Sequence, residues 1–251
     1  MNGRNSQGGR RFGAALCAFA LFALPLHVQA ADLGVEPISI ELSPDQQTAA
    51  IKITNGSDQP TSIQLQAVAW SQLDGKDVYT PTRELLVAPP IITLAPNSEQ
   101  IIRTALRRQA DPVNELAYRI FLQELPAPPP PGFRGLQVAL RIGLPVFVKP
   151  QQGKAVPKML WSVARAPENS LKVTLQNQGN AHVQVSDFAF YVPGSDRPIA
   201  GESGSSYALA GQTRTWLLKA DASAKTAGGR LRLKAYTDAG EVDVELGLGT
   251  P

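Results

Sequence analysis

Hydrophobic and polar positions alternate with a period of two along most of this chain, the mark of half-buried β-strands. Such segments fall at Ile38–Leu42, Thr48–Thr54, Ser62–Ala69, Ile91–Leu94, Glu99–Leu106, Ala117–Glu124 and Leu136–Val148. Beyond Pro150 they recur at Lys158–Ala164, Leu171–Gln176, Val183–Tyr191, Gln212–Lys219, Arg230–Thr237 and Glu241–Leu246. Gly, Pro, Asn, Asp and Ser divide them, and no sustained helical period competes apart from a turn near Asp111–Leu116. Short strands at this spacing predict an all-β fold of antiparallel sandwiches.

The longest alternation is LQVALRIGLPVFV, residues 136–148. Leu136, Val138, Leu140, Ile142, Leu144 and Val146 share one face. Gln137, Ala139, Arg141, Gly143, Pro145 and Phe147 share the other. At about 3.3 Å per residue such a strand extends roughly 40 Å, well beyond the usual five or six residues. Pro145 cannot donate to a ladder and fits an edge or a bulge. Two readings stand: a central strand buried on both faces, or an apolar edge. An edge of this kind is a hazard unless capturing another chain's strand is its purpose.

The second half is a weaker copy of the first. Ile51–Asn55 (IKITN) resembles Val173–Asn177 (VTLQN), each an alternating strand ending at Asn before a polar turn. Two sandwich domains are expected at 31–149 and 158–251, with 150–157 (PQQGKAVP) as a linker. The Pro-rich stretch 126–131 reads as an exposed polyproline loop before the long strand.

Composition changes this picture at the N-terminus. Arg4, Arg10 and Arg11 precede an apolar run, Phe12–Leu26, followed by Val28 and Ala30 as small −3 and −1 residues. This predicts an export signal at 1–30, cleaved before Ala31, and a run too short for an ordinary membrane span. The only cysteine, Cys17, lies inside it, so the mature chain of about 221 residues holds no disulfide. A lipid anchor on Cys17 is disfavoured by the large Leu16 before it. Removing the signal leaves 21 basic and 21 acidic residues, and nothing global points to nucleic acid.

Enzyme chemistry finds little footing. His182 is the one mature histidine and reads as a surface imidazole after the Gly179–Asn180 turn. No zinc set, nucleophile triad or phosphate loop forms around it, and 201–206 (GESGSS) lacks a P-loop lysine. The pairs Asp74/Asp77 and Glu241/Asp243 sit among turn and solvent-facing residues. No enzyme activity, metal or cofactor is expected.

Three segments carry a resemblance. LLVAPPIITLAPNSEQIIR (85–103), YRIFLQELP (118–126) and LQVALRIGLPVFVKP (136–150) are similar to the periplasmic chaperones of pilus and fimbria assembly. The archaic and spore-coat-U-associated branches look closest. The resemblance implies two immunoglobulin-like β-sandwich domains in an L-shaped arrangement. It implies a chaperone that lends its long strand to an incomplete pilus subunit by donor-strand complementation and delivers it to an outer-membrane usher. The inserted set on that reading is Leu136, Val138, Leu140 and Ile142, with Phe147 and Ala139 packing internally. Release would need a partner, because no ATP site is visible.

The resemblance breaks at one point. Family members grip the subunit's terminal carboxylate with a basic pair, and the matching positions here are Ser39 and Pro145. Arg119, in the middle of its strand, is the leading substitute and Arg141 the alternative, since an arginine fork suits a carboxylate. The family's interdomain charge cluster maps to Glu115, Lys149 and Asp238. Two rival functions remain: a structural or adhesive fibre of tandem immunoglobulin-like domains, and a secreted sandwich enzyme acting on carbohydrate.

Overall fold

The computed structural model describes residues 33–221 and 229–249, apart from 127, 130 and 133. The expected export signal, Cys17 and two residues of the Pro-rich stretch lie outside the described residues. Every regular element among those described is a strand.

The first ten strands are β1 (Leu33–Glu36), β2 (Ile40–Leu42), β3 (Thr48–Asn55), β4 (Thr61–Leu73), β5 (Lys76–Pro81), β6 (Leu85–Ala88), β7 (Ile91–Leu94), β8 (Ser98–Leu106), β9 (Leu116–Leu125) and β10 (Arg141–Val148). They form two sheets. One runs β1-β3-β8-β6; the other runs β2-β10-β9-β4-β5, with β7 also paired to β4. Alternation explains the closure. β3 turns Ile51 and Ile53 inward, β8 turns Ile102 and Leu106, β9 turns Tyr118, Ile120 and Leu122, and β10 turns Leu144, Val146 and Val148 into one core. Each large aliphatic buried there contributes about 1.5–3 kcal/mol before ordering costs.

The remaining strands are β11 (Met159–Ala166), β12 (Ser170–Asn177), β13 (Val183–Tyr191), β14 (Pro198–Ala208), β15 (Thr213–Lys219), β16 (Arg230–Thr237) and β17 (Gly240–Gly249). Their order is β14-β13-β16-β17-β11-β12-β15, and β17 meets β11 only at two residues of each. That narrow seam divides a second sandwich into two layers around its own core of Val173, Leu175, Phe188, Phe190, Leu231 and Leu233.

β4 serves both sandwiches. Ile63 and Leu65 point into the first core. Farther on, Val68, Trp70 and Gln72, of the opposite parity, are the buried residues. The reversal has a cause: Leu209 and Tyr207 of the second sandwich pack on Trp70 and Phe147. β4 turns into β5 through Asp74 and Gly75, both at positive φ, as a two-residue hairpin requires. The turn touches β15, where Thr215 N donates to Gly75 O at 3.3 Å.

Four strands were not among the expected segments: β1, β5, β6 and β14. The stretch 201–206 lies inside β14, where its mostly exposed Gly, Glu and Ser residues pair with β13 across a bulge. Residues 112–114 form bends rather than a helical turn, and Leu116 already opens β9.

Candidate functional site: a strand margin and an arginine-bearing wall

The expected strand 136–148 is shorter than its alternation suggests. Only Arg141–Val148 is a strand, and 136–140 lies outside any element. The reason is the neighbour. β9 pairs with β10 from Leu116 to Gln123, and Glu124 N still donates to Leu140 O at 2.9 Å. The Glu124 carboxylate then accepts the Leu140 N–H at 3.0 Å. Beyond it the chain reaches Leu125 and Pro126 and offers no further ladder. Leu136 and Val138 are left 87% and 71% exposed, Leu140 and Ile142 half-buried.

The opposite margin of β10 is also open in part. β2 joins it in parallel only at Val146–Val148. Among the described residues no strand pairs with Arg141–Pro145 on the side away from β9. Pro145 therefore sits where this side carries no ladder, as its missing N–H requires. The internal packing differs from expectation. Ala139 is exposed. Phe147 turns away from the first core and joins Trp70, Leu209 and Tyr207. Ile142 packs against the first core, where Leu144, Val146 and Val148 continue its face.

The outer face of β9 and β10 forms an aromatic wall. Register places Arg119 opposite Pro145, Phe121 opposite Gly143 and Gln123 opposite Arg141. The Arg119 guanidinium carbon lies 4.0 Å from the centroid of Trp70 and 5.6 Å from that of Tyr79. Its Nη1 donates to Tyr79 Oη at 2.8 Å. Its Nε is buried with no acceptor among the described residues. No carboxylate pairs with Arg119 among the described residues. Burial raises the pKa of Tyr79, and the Arg119 charge opposes that rise. Arg141 is exposed and rests on Phe121, 4.0 Å from its centroid. Phe121 meets Tyr79 edge-on at 5.2 Å. Both candidate arginines thus share one wall, held by aromatic faces.

The expected cluster of Glu115, Lys149 and Asp238 is rearranged. Lys149 takes no part: its ammonium pairs with Glu41 of β2, just past the end of the β2–β10 ladder. His182 stands in its place, and the surface reading of that residue is corrected. Glu115 Oε1 accepts from the His182 backbone N at 3.0 Å and contacts its Nδ1 at 2.7 Å. Asp238 Oδ2 lies 3.7 Å from Nε2. The imidazole stacks on Phe147 at 3.5 Å and 8°. A single histidine has no periodicity to reveal it. Asp77 is equally occupied: it accepts from Trp70 Nε1 at 3.1 Å and Gln72 Nε2 at 2.9 Å and pairs with Arg214. Gln72 ties the sandwiches further, donating to Tyr207 O and accepting from Leu209 N.

Residues 32–154 match the family model described as pili and flagellar-assembly chaperone, PapD N-terminal domain. Over these residues the chain belongs to the pilus-assembly chaperone family. Solved structures agree on the fold of this chaperone. A complex of the chaperone CsuC with the tip adhesion subunit CsuE, from archaic chaperone-usher Csu pili of Acinetobacter baumannii, is similar with a TM-score of 0.65. Its identity is 17%, over 88% of this chain and 100% of that one. The SafB chaperone with SafA pilin of Salmonella enterica gives 0.57 at 18% identity, over 88% and 98%. The CupB2 chaperone of Pseudomonas aeruginosa gives 0.53 at 16% identity, over 86% and 100%. No curated protein matches the chain in sequence.

Proposed function

We propose that this chaperone captures pilus subunits in the periplasm by completing their unfinished sandwiches with its own strand margin, and passes them to an outer-membrane usher. One observation carries the reading: exposed Leu136 and Val138 lead directly into a strand whose outer edge is unpaired over Arg141–Pro145. A subunit strand laid along that edge gains backbone hydrogen bonds that do not depend on its side chains, so several subunits can be held. Leu136, Val138, Leu140 and Ile142 insert into the subunit groove and set the register, because a slip of one residue would present the other face. The segment 136–139, which forms no ladder with β9, takes its strand form only on the subunit.

Arg119 anchors the subunit's terminal carboxylate, with Arg141 as the second cation on the same wall. The support is its lack of any acidic partner among the described residues together with a guanidinium held between Trp70 and Tyr79. The working division is two domains, 31–149 and 158–251, joined by 150–157, with Glu115, His182 and Asp238 bracing the joint. Export by the 1–30 signal brings the chain to the periplasm. The archaic branch is the assigned lineage, since Ser39 and Pro145 depart from the usual basic pair.

Co-expression with candidate subunits tests this. A stable one-to-one complex, lost when Leu136 and Val138 are both made Asp while the fold persists, is the expected result. Subunits that remain equally soluble with the altered margin refute it. Self-assembled fibres of this chain would instead favour the tandem-domain fibre protein.

A further inference from the structure

The wall that holds Arg119 contains one position without a side chain. Gly143 lies opposite Phe121 on β10. Its backbone is not in the left-handed region, so φ does not demand glycine there. Space does. A Cβ at 143 would stand 3.1 Å from Arg119 Cδ and 3.1 Å from Phe121 Cε1. Neither neighbour can retreat easily. The Arg119 arm is fixed at one end by β9 and at the other by Trp70 and the Tyr79 hydroxyl. Phe121 is fixed between the Tyr79 ring and the Arg141 guanidinium. Glycine within a strand weakens it and often marks a close approach. Here what approaches is the arginine arm itself.

We infer that Gly143 is a positioning residue for the anchor: the notch it leaves lets the Arg119 arm lie beside Phe121 and delivers the guanidinium to Trp70 and Tyr79. This rests on the reading of Arg119 as the carboxylate anchor. A side chain at 143 pushes the arm off its aromatic seat without touching the donor residues at 136, 138, 140 and 142. The notch therefore governs carboxylate recognition separately from strand addition.

The test is NMR of the full exported chain, following the Arg119 Nε–H signal, assigned by its loss in Arg119→Lys. That proton is buried and so slow to exchange. The probes are N-acetyl-L-valine, which carries a carboxylate, and N-acetyl-L-valinamide, which does not. In the wild type the acid moves the signal and the amide leaves it in place. In Gly143→Ala the signal of the free protein is displaced and the response to the acid weakens by roughly tenfold or more. Adding Phe121→Leu, which removes the crowding ring carbon, restores both. A merely structural role for Gly143 predicts no such rescue. If Gly143→Ala follows the acid as the wild type does, the inference falls and the anchor stands. If both Gly143→Ala and the double variant fail to fold, the inference also falls. If the wild-type signal ignores the acid, the anchor reading falls and takes the inference with it.

Discussion

In the first sandwich Asn55, 1% exposed, ends β3 and donates through Nδ2 to Gln59 O, at 2.8 Å, and Ala95 O, at 3.1 Å. Its Oδ1 accepts from Ser57 N at 3.1 Å. In the second, Asn177, fully buried, ends β12 and donates to Ala181 O at 2.7 Å and Ala208 O at 3.0 Å. Its Oδ1 accepts from Gly179 N at 3.0 Å. The offsets are the same: the carbonyl four residues on and the amide two residues on. The last strands diverge. β17 also has an open margin over most of its length, but Glu241, Asp243 and Glu245 line one of its faces. Asp243 forms a bidentate pair with Arg232, and Glu245 pairs with Arg230. Charge blunts that margin against pairing. The margin of β10 continues into Leu136 and Val138, with no such guard. Two copies of one framework thus keep the same buried knot, while one edge is lined by paired charges and the other runs on into bare apolar residues.

The largest effect is expected at the shared knot. Asn177→Leu strands several buried backbone groups at once and should cost about 3–5 kcal/mol, with Asn55→Leu close behind. Urea unfolding checks this. If one variant is near neutral, the two knots are not equivalent. Next, His182→Ala removes the stack on Phe147 and leaves the nearly buried Glu115 carboxylate without its imidazole. It should cost about 2–3 kcal/mol and split the unfolding transition into two, seen by calorimetry. Third, Leu136→Glu with Val138→Glu gives the first margin the acidic character of the second. Melting should not move, since both side chains are exposed. Subunit affinity should fall by about 2–4 kcal/mol, measured by titration calorimetry. Fourth, Arg119→Gln should weaken capture by about 1.5–3 kcal/mol, the worth of a charge-assisted hydrogen bond, with little change in melting.

The smallest effect concerns pH. Burial pushes the Tyr118 phenol well above its ordinary range, reinforced by its 2.7 Å bond to Glu84 Oε2 and that carboxylate's charge. The folded state therefore holds this proton more tightly than the unfolded chain. The associated stability is intact below pH about 10 and declines as pH rises above it. Melting followed between pH 8 and 11 should show a flatter decline for Tyr118→Phe than for the wild type.

Much of this was legible before any coordinates. IKITN and VTLQN announced the repeated strand that ends at Asn, because alternation followed by a polar turn is a local pattern; that each Asn is buried and ties distant carbonyls was not legible. Arg141–Val148 was legible as strand for the same reason. Leu136–Leu140 has the same alternation and is not a strand, because a ladder needs a neighbour and β9 ends at Leu125. β14 escaped notice from the other direction: Gly and Ser carry no alternation, and pairing with β13 alone makes them a strand. At the site, Arg119 and Arg141 could be named because the family resemblance implies a carboxylate anchor and both arginines lie on the strands of that margin. The Trp70–Tyr79 seat, the notch at Gly143 and the place of His182 between Glu115 and Asp238 could not.

The order of apolar and polar side chains was enough to decide that the chain builds two β-sandwiches and where most strands run, since burial selects faces one residue at a time. Which edge stays open, which rings seat Arg119, and what His182 packs against depend on residues far apart in the chain. Those were settled only when folding chose neighbours.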